Sequence, residues 1–188
     1  MSEEKDTIKI PTLADSHYFL FNKEFDASST GEAMTFIIER NLITEEDKRP
    51  DAIRMILNSP GGDLSSAFAL IDVMEASRIP IYTFGYGLIA SAGLLTFIAG
   101  TKGHRYITKN TSILSHQFSW YAIGKEHELF ATIKEVDLTK ERMIDHYKRH
   151  TRQTEANIKK YLLPPEDTWL SAKESLKYGI ADKIISSI

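Results

Sequence analysis

At 188 residues, the chain has the length of one domain of ordinary size and can bury a sizeable core by itself. A composition of 42% hydrophobic and 26% charged residues excludes a disordered or fibrous chain, and a net charge of -3 supplies no basic field for nucleic acid. The absence of cysteine excludes disulfides, thiol nucleophiles and cysteine-ligated zinc.

In chain order, residues 1 to 17 are polar, with an acidic start and Pro11, and read as an amino-terminal arm before a single domain over 18 to 188. The opening M-S-E-E-K-D has no signal-peptide character and no stretch of the chain is apolar enough to span a bilayer, so no membrane and a cytoplasmic setting are expected. Aromatic enrichment from Tyr18 to Phe25 predicts a strand. Ser29 and Glu32 stand in the S-x-x-E relation of a capping box, and Met34, Ile37, Ile38 and Leu42 follow at helical spacing, which predicts a helix over about 31 to 43. A charged loop over 44 to 50 follows. Ala52 to Leu57 reads as a buried strand ended by N-S-P-G-G. Leu64, Ala67, Phe68, Ile71 and Met74 mark a second amphipathic helix.

The strand I-Y-T-F after Pro80 is expected to stop at Gly85. Residues 90 to 99 are apolar on every side, as in a short helix enclosed by protein. Short strands are predicted around Arg105 to Ile107 and Ser112 to Ser115. The longest helical pattern runs over about 126 to 150, with Leu129, Ile133, Val136, Met143 and Tyr147 on one stripe that Lys140 interrupts. A capped helix begins near Thr154, a loop holds Pro164 and Pro165, and Ser171 with Glu174 caps a helix that Gly179 ends. I-A-D-K-I-I reads as a last strand. Strands and helices alternate, which makes the class α/β with mostly parallel pairing.

Three pieces carry candidate chemistry. Ser91 lies between small residues at the start of the enclosed helix, where free N-H groups favour a developing oxyanion; the same position suits a plain N-cap. S-A-G is only part of a G-x-S-x-G elbow, with Ile89 at the first glycine position. His116 ends a strand, where open α/β sheets place their ligands, or else is a satisfied core histidine. A serine and a histidine need an acid to hold the imidazole, and Asp63, Asp72 and Asp167 are all candidates. The glycines of N-S-P-G-G can aim N-H groups at a bound carbonyl, or serve a tight turn. There is no P-loop and no H-E-x-x-H, so neither ATP binding by this chain nor a metal is expected.

Together, N-S-P-G-G-D at 58 to 63, G-L-I-A-S-A-G at 87 to 93, A-G-T-K-G-H-R-Y at 99 to 106, S-H-Q at 115 to 117 and D-T-W-L-S-A-K-E-S-L-K-Y-G-I-A-D at 167 to 182 resemble the ClpP family, the proteolytic subunits of ATP-dependent Clp proteases. The resemblance implies an α/β spiral of strand-strand-helix units shared with crotonases, with the 126 to 150 helix protruding as a handle. It implies Ser91 as nucleophile, His116 as general base, Asp167 as the orienting acid, and the N-H groups of Gly62 and Ala92 as oxyanion hole. It further implies no cofactor in this chain, one or two stacked heptameric rings of identical subunits, unfolded polypeptide substrates and a separate AAA+ ATPase. The chain departs from the pattern at Ala92 (usually methionine), Phe118 (proline), S-W-Y-A-I-G at 119 to 124 (glycine-rich), Glu166 (arginine), and Arg54 and Ile56, where ATPase-docking tyrosines are usual. Two other readings stand beside the protease: a catalytically weak or regulatory ring subunit, and a crotonase-like thioester enzyme that uses the glycine turn but not Ser91 with His116.

Overall fold

The structure, a computed structural model, describes residues 11–186. Residues 1–10 of the expected arm lie outside the described residues. Residues 12–17 form a turn in which Thr12 and Asp15 exchange side-chain hydrogen bonds and the Tyr18 N-H donates to the Leu13 carbonyl.

Among the described residues, seven strands make one sheet, β1 (Tyr18–Phe21), β2 (Ile53–Ser59), β3 (Ile81–Ala90), β4 (Arg105–Ile107), β5 (Ser112–Ser115), β6 (Thr168–Leu170) and β7 (Lys183–Ile184). The order β1-β2-β3-β4-β7 is parallel throughout, as βαβ connections require. β5 is also parallel to β3, whereas β6 runs antiparallel to β5. β3 therefore forks: Thr83 to Gly85 pair with β4, and Leu88 to Ala90 pair with β5.

That fork is where the sequence reading fell short, because β3 continues past Gly85 to Ala90. Gly85 pairs with Leu57 but Ile89 pairs with Ser59, so β3 carries a bulge between them. Gly87 takes φ +63 at the bulge, and the Asn58 Oδ1 accepts from the Leu88 N-H at 2.9 Å, replacing the missing ladder bond. A Cβ on Gly87 would lie 2.7 Å from that Oδ1, so the glycine is required by the turn it makes.

The helices are α1 (Ala27–Asn41), α2 (Leu64–Ala76), α3 (Ala92–Ile98), α4 (Glu126–Thr151), α5 (Glu155–Asn157) and α6 (Ala172–Lys177). α1 begins earlier than the Ser29–Glu32 box predicts. Asp26 is the N-cap, accepting from the Ser29 N-H at 2.7 Å while Ser29 Oγ accepts from the Asp26 N-H, and Glu32 pairs instead with Lys23. The expected boxed helix at Ser171 and Glu174 forms as read, and Gly179 ends it at φ +72. The helix expected from Thr154 holds for one turn only. It passes into a π turn over Ile158–Leu162, where the Leu163 N-H donates to the Ile158 carbonyl.

α3 is buried at all seven residues, matching its uniformly apolar sequence. It packs with Ile37, Met55, Leu57, Leu70 and Ile113 in a single core. The stripe of α4 divides. Val136, Met143 and Tyr147 are buried, whereas Ile133 is 45% exposed, so the amino-terminal half of the helix projects from the chain. Lys140 is exposed and pairs with Asp137. Burial pushes Tyr147 up to about 12, against the opposing effect of its hydrogen bond with Ser115, so it remains a neutral donor. Burial, seconded by His150, pushes His146 on the same helix down to about 3.

Candidate active site

The sheet register puts Ser91, His116 and Asp167 at the ends of neighbouring strands. Ala90 pairs with Leu114 and Ser115 pairs with Thr168, so Ser91, His116 and Asp167 each lie one residue beyond a paired position. The Ser91 N-H donates to the Leu114 carbonyl at 3.1 Å, which ties the first of these ends to the second. His116 Nδ1 lies 3.9 Å from Asp167 Oδ1, within ion-pair reach and longer than a hydrogen bond. Among the described residues the Ser91 hydroxyl makes no hydrogen bond, to His116 or to the backbone of α3.

Ser91 itself is strained. It takes φ +54 and ψ -122 at the β3–α3 turn, a region that non-glycine residues rarely enter. Although it occupies the N-cap position, its side chain makes no capping bond, so the plain N-cap reading does not describe it. The sharp turn leaves Ala92 as the first residue of α3, where helix geometry offers its N-H no acceptor. The Ser91 N-H, spent on Leu114, is not free in this way.

Gly61 and Gly62 take φ +103 and +143. The turn is held by the Gly61 N-H to Ser59 Oγ, the Phe25 N-H to the Gly61 carbonyl and the Asp63 N-H to the Phe25 carbonyl. None of these bonds uses the Gly62 N-H. A Cβ on Gly61 would stand 2.6 Å from Ser91 Cβ and 3.2 Å from the Ala92 nitrogen, and one on Gly62 would strike the Phe25 carbonyl oxygen at 2.4 Å. Gly61, which the sequence reading did not single out, is thus the residue in direct contact with the serine; the backing of Ser91 by a turn far earlier in the chain gives no local signal. We expect Gly61→Ala to lower turnover at Ser91 by roughly a hundredfold while the chain still folds, measured as turnover alongside the thermal midpoint.

His116 is held by its neighbours. Ser115 Oγ has a single proton, which it donates to the Leu162 carbonyl at 2.5 Å, so it accepts from the Tyr147 hydroxyl at 2.8 Å. Gln117 Nε2 donates to the Leu163 carbonyl at 3.0 Å. The strand end is thereby pinned to α4 and to the π turn on both sides of the histidine. The other candidate acids have different duties: Asp63 caps α2 through the Ser66 N-H, and Asp72 faces α4 in a groove between α2 and α4. A cavity of about 490 Å³ opens at Gln117, the residue after His116, lined by Phe118, Trp120, Met143, Ile144 and Leu163, with Lys140 and Lys159 among its walls; Ser91, His116 and Asp167 do not line it.

The Clp protease family profile matches residues 13–187. The chain belongs to the Clp protease family. Among its relatives, the ATP-dependent Clp protease proteolytic subunit 2 of Rhodococcus jostii (strain RHA1) is 34% identical over 145 residues, 77% of this chain and 73% of that protein. The subunit of the same name from Thermobifida fusca (strain YX) is 32% identical over 146 residues, 78% and 70% of the two chains. The mixed α/β sheet agrees with the fold that the resemblance implied, and the protease reading is favoured over the crotonase-like and regulatory ones. Among the described residues no helix is long and apolar enough to cross a membrane.

Proposed function

We propose that this Clp protease family chain is a serine endopeptidase that cleaves unfolded polypeptide through Ser91, His116 and Asp167. The observation that carries the reading is the strained Ser91 turn, at a strand end beside His116 and opposite Asp167. Ser91 Oγ attacks the substrate carbonyl as His116 takes its proton. His116 then returns that proton to the departing amine, and water cleaves the acyl-enzyme by the same route. Asp167 holds the imidazole and offsets its charge when protonated. The Gly62 and Ala92 N-H groups receive the oxyanion, which a backbone donor can do whatever the side chain at 92.

The relatives are named as ATP-dependent, which supports a separate AAA+ ATPase as partner, with no cofactor held by this chain. Its docking face would include Arg54, whose guanidinium lies 5.4 Å from the Tyr18 ring centroid and 5.9 Å from that of Tyr82. Aromatic surface is therefore retained around the arginine. Assembly of identical chains into one or two heptameric rings would cover Tyr121, Ile123 and Phe130, of which Tyr121 is 84% exposed. The setting we propose is the cytoplasm.

The cavity at Gln117 and Phe118, next along the chain from His116, suits an apolar side chain of the substrate, and its lysines disfavour a cationic one. Fluorogenic peptides with Leu or Met before the cut are expected to be turned over at least about tenfold faster than those with Lys. A fluorophosphonate probe should label Ser91, read by peptide mass mapping beside the native mass of the assembly. An assembled protein left unlabelled at Ser91 would support the thioester enzyme instead.

A further inference from the structure

α2 and α4 meet in a groove of about 380 Å³. Glu75 from α2 and His146 from α4 line it, and His150, one turn further along α4, stands at its end; each of the three can offer one ligand atom, all within 4.8 Å of one another. The two histidines are four residues apart, one helical turn, and so share a face of α4. Nothing in the peptidase chemistry uses them.

The His146 ring fixes its own tautomer. Its Nε2 lies 2.8 Å from the Leu95 carbonyl, and a carbonyl only accepts, so Nε2 carries the proton and Nδ1 keeps a lone pair. A ring N-H given to a backbone carbonyl, with the opposite nitrogen bare, is the arrangement that metal-binding histidines adopt. Among the described residues the hydrogen bond of the His146 ring is the one made by Nε2. His150 Nε2 lies 2.9 Å from Glu75 Oε1, a contact in which an ion can replace the shared proton. Glu75 Oε2 is engaged separately by Arg149, which leaves Oε1 for coordination. The groove walls add Asp72, Glu141 and Asp145 against Arg142 and Arg149, so acidic groups outnumber basic ones where a cation would enter.

We propose that Glu75, His146 and His150 bind one divalent transition-metal ion of the zinc class, with water completing a tetrahedron. Two imidazoles and a carboxylate are a donor set that zinc favours. Bonds of about 2.0–2.1 Å draw the three atoms closer than they stand. Rotation of the Glu75 and His150 side chains, neither of them fully buried, provides that movement. The ion ties α2 to α4 behind α3, since Leu95 accepts from His146 and its own N-H donates to the Ser91 carbonyl. No metal is expected from the sequence, which lacks H-E-x-x-H; folding brings Glu75 from another helix beside His146 and His150.

The test uses tag-free full-length protein stripped with EDTA and titrated with Co²⁺, followed by visible absorption, and with Zn²⁺, followed by calorimetry. One ion per chain is expected, with tetrahedral cobalt absorption and a thermal midpoint that rises with Zn²⁺. His150→Ala and Glu75→Gln should each weaken binding by at least about tenfold and abolish that rise, whereas His127→Ala, at an exposed site earlier on α4, should change neither. Equal thermal midpoints in EDTA will establish that the variants fold. No tetrahedral signal, or equal affinity in all four proteins, would overturn the site. Neither readout depends on hydrolysis, so this result and that of the Ser91 labelling are independent.

Discussion

Ser91→Ala is expected to lower hydrolysis of a fluorogenic peptide by roughly 10⁴-fold or more, because the nucleophile is lost while the oxyanion donors remain. Ser91→Gly should be equally inactive yet more stable. The turn requires φ +54 and ψ -122 at this residue, a cost that alanine retains and glycine escapes. The glycine variant should therefore exceed the alanine variant by about 1 kcal/mol in denaturant unfolding, with native mass unchanged in both. Retained turnover in Ser91→Ala would sink the protease reading. Equal stability of the two variants would instead show that the turn holds no strain.

The largest effect on stability is expected at Asp182. Arg105 is fully buried, and its Nε and Nη2 donate to the two Asp182 oxygens at 2.8 Å, while the Gly103 and Arg105 N-H groups donate to the same carboxylate. Burial would raise the Asp182 pKa, but the hydrogen bonds and charge of Arg105, helped by Lys102, outweigh it and hold the group at about 2, down from 3.8. Asp182→Asn leaves a buried guanidinium without its counter-charge and should cost roughly 3 kcal/mol or more. Because the folded pKa is depressed, the contribution is complete above 3.8 and disappears as pH falls through about 2. The gap in thermal midpoint between wild type and variant should be widest near neutrality and close over that acid window. A gap independent of pH would refute the ion-pair account.

Features encoded within a few residues were legible in advance. β4 and β5 are short strands bounded by turn residues and lie where the pattern places them. The Ser171 box and the uniformly apolar α3 behave likewise. Ser91 and His116 stood out because a polar residue in small or apolar company is a local anomaly. Asp167 did not: its loop setting suits the role, but Asp63 and Asp72 were candidates too, and only the family resemblance singled it out. The continuation of β3 through two glycines was hidden because Asn58, distant in sequence, supplies the bond that sustains it. The exposed half of α4 carries the same stripe as the buried half, since periodicity reports which face is apolar and not what covers it.

By itself, then, the amino-acid order determined the alternation of strands and helices, most of their ends, and the residue types able to act as nucleophile and base. Tertiary structure alone decided that Gly61 backs Ser91 and that Glu75 meets His146 and His150. The division has one physical cause. Hydrophobic period and capping act over a turn or two of chain, whereas these meetings depend on strand register and helix packing between segments far apart in sequence, which are set only when the core closes.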